Sequence, residues 1–315
     1  MRRAVPSLPR HQRGALLILL VIALGILAAT VFVSMLSSSD IQNKRDKQTT
    51  AALAEAKAAL IGWSASRSSN TSSYSPGQLP CPENTSLIGS PNEGTGYSSC
   101  TLPAIGRLPW KTLKIGDLRD GYGEKLWYVL SPGFRVSPIN SSVSQAQLTV
   151  DGIPNSAVAI IFSPGPPLAG QIRPLPTASQ PPDITNYLEG NNNNGSYQFD
   201  TQGPTTTFND KLLLITHRDL FSLVEKRIAL TIIGTGSAPN MGLRYYYANN
   251  PPGYPPSLDY NQLNFDTYTK KMLTDNHWDS LVIYTSSSPT SAQLDLPSYC
   301  TARTTSGQAG LVSCP

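Results

Sequence analysis

"RHQRGALLILLVIALGILAATVFVSMLSSSD", Arg10–Asp40, decides how the rest of the chain is read. It sets a basic leader against a long apolar run, with Gly14 at the border and no acidic residue before Asp40. Ala15 to Leu36 is 22 residues long and carries no charge. At 1.5 Å per residue such a helix is roughly 33 Å long, enough to cross a ~30 Å hydrocarbon core. A secretory signal peptide has a shorter apolar core of about 7–15 residues and a small-residue cleavage site. The run is therefore expected to be a retained membrane span over 15–36. Arg2, Arg3, Arg10 and Arg13 would hold the N-terminus in the cytoplasm, leaving the bulk of the chain outside.

Beyond the run the helical pattern continues. Ile41 to Trp63 has no Pro, and no Gly before Gly62. "AALAEAKAALIGW" (Ala51–Trp63) is rich in strong helix formers. Leu53, Ala56, Leu60 and Trp63 recur at spacings of three and four, which makes one apolar stripe. Lys44, Arg45, Asp46 and Lys47 mark where the helix would emerge into water. One long helix is expected over 15–66, its second half amphipathic.

A short basic leader ending in Gly, then an apolar helix that becomes amphipathic, resembles the type IV prepilins and type II secretion pseudopilins. The resemblance implies that a prepilin peptidase cuts between Gly14 and Ala15 and methylates the new N-terminus. It implies an inner-membrane precursor with a periplasmic bulk. That precursor later joins a pilus or pseudopilus by burying the same helix against other pilins or pseudopilins. Two positions depart from the family. Ala15 stands where the mature chain usually begins with Phe, and Leu19 stands where major subunits carry Glu. An intramembrane carboxylate is costly without a partner, so its absence means that one family contact is not made. Members without that Glu tend to be minor components at or near the tip. The competing reading is an ordinary signal-anchor helix with a chance Gly.

The remainder suits an extracytoplasmic surface. The charged fraction is 14%, low against the roughly 25% usual for soluble domains, and there are 27 Pro and 24 Gly. The four leader arginines account for the whole net charge of +4, and the remaining 20 Lys and Arg balance 20 Asp and Glu. No nucleic-acid partner is expected, because that needs a basic patch on the folded part. The four cysteines favour two local disulfides, Cys81–Cys100 and Cys300–Cys314, and an oxidising compartment. None sits in a Cys-x-x-Cys or near a His at ligand spacing, so zinc is not expected.

"KLWYVLS" (Lys125–Ser131), after the turn "DGYG" (Asp120–Gly123), and "SAVAIIFSPG" (Ser156–Gly165) read as strands. "LPCPE" (Leu79–Glu83) and the run from Gly106 to Ser131 resemble a group of large pilin-like proteins from Gram-negative bacteria, a resemblance that covers about Gly14 to Gly165. The second half repeats the plan in kind. Arg218–Ile233 looks helical, and "NHWDSLVIYTSS" (Asn276–Ser287) is again a turn followed by a Trp/Tyr strand. The expected fold is α+β and pilin-like, a long N-terminal helix packed on an antiparallel sheet in two tandem lobes. The expected divisions are a leader 1–14, the helix 15–66, a first lobe 67–180, a linker 181–210 and a second lobe 211–315. A single elaborated α+β domain is the alternative.

Signals for chemistry are weak. His217 and His277 each lie two residues before an Asp, which does not make a dyad, because chain neighbours point to different sides of an element. No G-x-S-x-G, Walker motif or G-x-G-x-x-G is present. Asp117, Asp120 and Glu124 offer oxygens of the kind calcium takes, but their spacing is not that of an EF-hand, and Asp-Gly is a common turn. No cofactor and no enzymatic activity is expected. The sequence reads as a minor pilin or pseudopilin. The runner-up is a single-pass membrane-anchored binding or adhesion protein that does not polymerise, and a tethered periplasmic hydrolase is a third class.

Overall fold

The computed structural model describes residues 11–67, 75–236, 239–250 and 253–314, without the side chains of 11–17, 19 and 28–38. The basic leader residues 1–10 lie outside the described residues. Helix α1 (His11–Ala65) runs without a Pro and continues past the end of the apolar run. The chain divides into two compact units, Met1–Gln48 and Thr49–Pro315.

The expected membrane span is not found. No helix among the described residues is long and apolar enough to cross a membrane. The apolar side chains described without a break cover residues 20–27, roughly 12 Å of helix against a ~30 Å hydrocarbon core. From Ser39 onward α1 carries Asp40, Lys44, Arg45, Asp46, Lys47, Glu55 and Lys57, so that part cannot serve as a span either. This overturns the expected single-pass inner-membrane location. The pilin-like arrangement of a half-membrane helix packed on a sheet falls with it. The globular unit takes in only Thr49–Ala65 of α1. Within that unit Ala52, Leu53, Ala56 and Leu60 are buried, and Lys57 donates to Asp219 (2.8 Å) and to the Leu214 carbonyl (2.9 Å). Full burial of a side chain such as Leu60 stabilises by roughly 2 kcal/mol.

The remaining elements are α+β with several antiparallel sheets. In chain order they begin with β1 (Ala104–Arg107), α2 (Trp110–Leu113), β2 (Trp127–Leu130), β3 (Leu148–Val150), β4 (Ile153–Ala157) and β5 (Ala159–Ser163). Then come β6 (Gln198–Phe199), β7 (Lys211–Ile215), α3 (His217–Ile233), α4 (Gly242–Asn249), α5 (Thr267–Asp275) and α6 (Trp278–Leu281). The chain closes with β8 (Ile283–Ser288), β9 (Ser291–Asp295), β10 (Thr301–Thr305) and β11 (Leu311–Ser313).

The first sheet has the order β1-β2-β5-β7, all antiparallel. Side chains alternate across a strand, and this sheet uses both faces. Tyr128, Leu130, Ala159, Ile161 and Ile215 belong to the main apolar cluster, which also holds Leu220, Phe221, Val224 and Ile228 of α3. Trp127, Val129, Ile160 and Phe162 belong to a second cluster with Leu148, Val150, Phe199, Tyr187 and Leu188. The three-stranded sheet β4-β3-β6 contributes Leu148, Val150, Ala157 and Phe199 to that second cluster. The third sheet, β11-β10-β9-β8, buries Ala292, Leu294 and Ala302 in the main cluster, and α3 contacts β10 and β11. Thr216 caps α3, its hydroxyl accepting from the Asp219 amide while the Asp219 carboxylate accepts from the Thr216 amide.

Two tandem lobes are not what forms. The expected second lobe begins at 211, and the strand found there, β7, pairs with β5 from Ala159↔Ile215 to Ser163↔Lys211. "KLLLI" (Lys211–Ile215) supplies apolar side chains to both faces of the first sheet, so the two halves share one core. The presumed repeat also fails strand by strand. β2 is interior and buried at every position, whereas β8 is an edge strand with alternate residues exposed.

Candidate functional site

Gly14 and Ala15 fall in the first turns of α1, and their side chains lie outside the described residues. A little further on, Ile18, Leu20, Val21, Ile22, Leu24, Ile26 and Leu27 are each between 53% and 62% exposed. Residues 20–27 make more than two turns and, with Ala23 and Gly25 between the larger residues, contain nothing polar. The helix is therefore apolar all round here. Such a helix is normally buried, because no single docking face would cover it.

The acidic loop does not gather its carboxylates. Asp120 is fully buried. Its Oδ1 accepts from the amides of Tyr122 (2.8 Å) and Glu124 (3.0 Å), and its Oδ2 from the Ser163 hydroxyl (2.8 Å) and the Gly165 amide (3.0 Å). Asp117 pairs with Arg119 at 2.7 Å, and Glu124 with Arg173 at 3.1 Å. No group of three or more His, Cys, Asp or Glu placed to hold a metal occurs among the described residues. Asp120 ties the turn to the end of β5.

Among the described residues neither histidine forms a hydrogen bond or ion pair with its neighbouring Asp. His217 Nδ1 lies 2.7 Å from the Tyr299 hydroxyl, and burial pushes its pKa down, favouring the neutral ring. Burial raises the Asp219 carboxyl, but the bonds from Lys57 and Thr216 outweigh it, and its pKa is lowered. His277 adopts a left-handed backbone (φ 58°) at the start of α6, and Asp279 lies in the first turn of that helix. Neither pair forms a catalytic dyad.

Disulfides join Cys81 to Cys100 and Cys300 to Cys314. The polar residues that organise the globular unit were not singled out from the sequence. Buried Glu225 accepts from the Ser141 hydroxyl and from the amides of Ser298 (3.1 Å), Tyr299 (2.7 Å) and Cys300 (2.8 Å). Buried Asn276 accepts from the Ile139 amide (2.8 Å) and donates to Ser75 (2.9 Å) and the Met272 carbonyl (2.8 Å). A signal for Glu225 did exist, since it lies four residues after Phe221 and three before Ile228, on the apolar face of α3.

No family model, curated protein or solved structure matches the chain.

Proposed function

We propose that the protein is a structural subunit of a type IV pilus or type II secretion pseudopilus, of the minor kind at or near the tip. The observation that carries this reading is the all-round apolar stretch of α1 over residues 20–27, exposed in the isolated chain. Burial of that surface stabilises by roughly 25 cal/mol per Å2, and a bundle of like helices covers every face of it. The basic leader that ends at Gly14 supplies the second support, as the substrate pattern of a prepilin peptidase. Leu19, in place of the Glu of major subunits, favours a minor position. The other pilins or pseudopilins of the fibre are the partners, met through α1.

Filament shearing tests the proposal. Leu24→Asp places a charge in the bundled surface and leaves Thr49–Pro315 untouched. The variant should fall by roughly tenfold or more in the sheared-filament fraction, while its globular unit keeps wild-type circular dichroism. Recovery of the variant in that fraction at the wild-type level overturns the reading.

A further inference from the structure

A cavity of about 560 Å3 opens beside the end of β1. Its walls carry Arg107, Arg119, Lys125 and Arg173, with Glu93 and Glu124. Three of these cations are nearly out of water: Arg107 is 7% exposed, and the side chains of Lys125 and Arg173 are 10% and 5% exposed. Buried charges need partners, and three of the four have them. Lys125 pairs with Glu93 and lies 3.9 Å from Glu83 and 3.8 Å from Asp117. Arg173 pairs with Glu124 at 3.1 Å, and Arg119 with Asp117 at 2.7 Å.

Arg107 is the exception. No carboxylate among the described residues lies within 4.0 Å of it. Among the described residues its guanidinium makes one hydrogen bond, from Nη2 to the Tyr187 hydroxyl at 3.4 Å, and its Nε has no partner. Glu83 and Glu93 feel its charge, but both are engaged by Lys125. A guanidinium offers five donors in a planar fork that fits an oxyanion bidentately. The backbone of Arg107 is fixed by pairing with Trp127 of β2, which sets where its side chain leaves the sheet.

The rest of the wall adds an aromatic ring and an apolar side chain. The Tyr187 ring lies 5.6 Å from the Arg107 guanidinium and 4.9 Å from that of Arg173. Leu175, 90% exposed, stands in the same lining between two prolines. The volume is within the range of small-molecule sites, about 300–1,000 Å3. We propose that this cavity binds a small organic carboxylate, whose oxyanion takes the Arg107 fork and whose body lies against Leu175.

Calorimetry on the full chain tests it, with benzoate, glucuronate and succinate as probes, benzamide as the neutral control and inorganic phosphate as the bare oxyanion. At least one of the carboxylates should bind, benzamide should not, and Arg107→Gln should weaken the binding by roughly tenfold or more. Leu175→Ala alters an exposed side chain, so the protein stays folded. It should weaken carboxylate binding severalfold and leave phosphate unchanged. The proposal is overturned if none of the three carboxylates binds, if benzamide binds as well as benzoate, if phosphate alone binds, or if folded Arg107→Gln binds as the wild type does.

Discussion

The first and third sheets each have four antiparallel strands, yet they are buried in different ways. In the first, β2 and β5 are buried at every position, because two separate apolar clusters cover the two faces. In the third, β9 and β10 bury only alternate residues, and β8 and β11 have no fully buried residue. Two-sided burial needs continuous apolar runs such as "WYVL" and "AIIFS". One-sided burial is satisfied by a few anchors in polar strands such as "SAQLD" and "TARTT". The first sheet is therefore held mainly by its own core. The third leans on α3, on the Glu225 hydrogen bonds and on a covalent staple.

Core truncation should separate the two sheets most strongly. Ile161→Ala removes a fully buried side chain from the first sheet and should cost about 4 kcal/mol in chemical denaturation. Leu294→Ala in the third sheet should cost less, about 3 kcal/mol, because one face of that sheet is open and can relax. Equal costs would break the distinction.

The staple comes next. Cys300 and Cys314 flank β10 and β11, with a sequence separation of 14. Replacing both by Ser should cost about 3 kcal/mol in the chain-entropy account. Amide exchange should rise first at Leu311–Ser313, while β2 and β5 stay protected.

A smaller effect is expected from pH. Asp210 precedes β7, and burial pushes its pKa up to about 8, with the nearby Glu189 charge adding to the rise and bonds from the Glu189 amide and Asn192 opposing it. A carboxyl raised in the folded state binds its proton more tightly there. Its contribution to stability is full below the ordinary pKa of about 3.8 and is lost as pH rises towards 8. Stability should therefore fall between pH 6 and 7 by up to about 1.4 kcal/mol, and Asp210→Asn should flatten that slope in urea titrations. The smallest effect belongs to Ile283→Ala on β8. That side chain is 64% exposed, and the change should stay within about 0.5 kcal/mol.

The same contrast explains what was legible in the sequence. "KLWYVLS" and "SAVAIIFSPG" contain β2 and β5, and Arg218–Ile233 contains nearly all of α3. These are the places where burial leaves a long periodic or continuous apolar signal. The disulfide pairs were legible from spacing. β9 to β11 were not, because their apolar anchors are too few to show a period. The pairing of β7 with β5 was hidden for another reason: it is a long-range choice, and nothing local in "KLLLI" names its partner. The apparent repeat of a Trp/Tyr strand came from composition, which does not separate the interior β2 from the edge strand β8. Length and absence of charge over residues 15–36 suggested a membrane span that the described helix does not bear out. The Arg107 cavity gave no sign, since Arg107 is distant in the chain from Arg173 and Tyr187 and meets them only on folding.

The proposed filament role requires α1 to be buried in a bundle of like helices. The mass and first residue of the mature chain, taken from cells with a working prepilin peptidase, test this most directly. The account predicts a chain that begins at Ala15 and carries one methyl group on its amine. A mature chain that still begins at Met1 would contradict it.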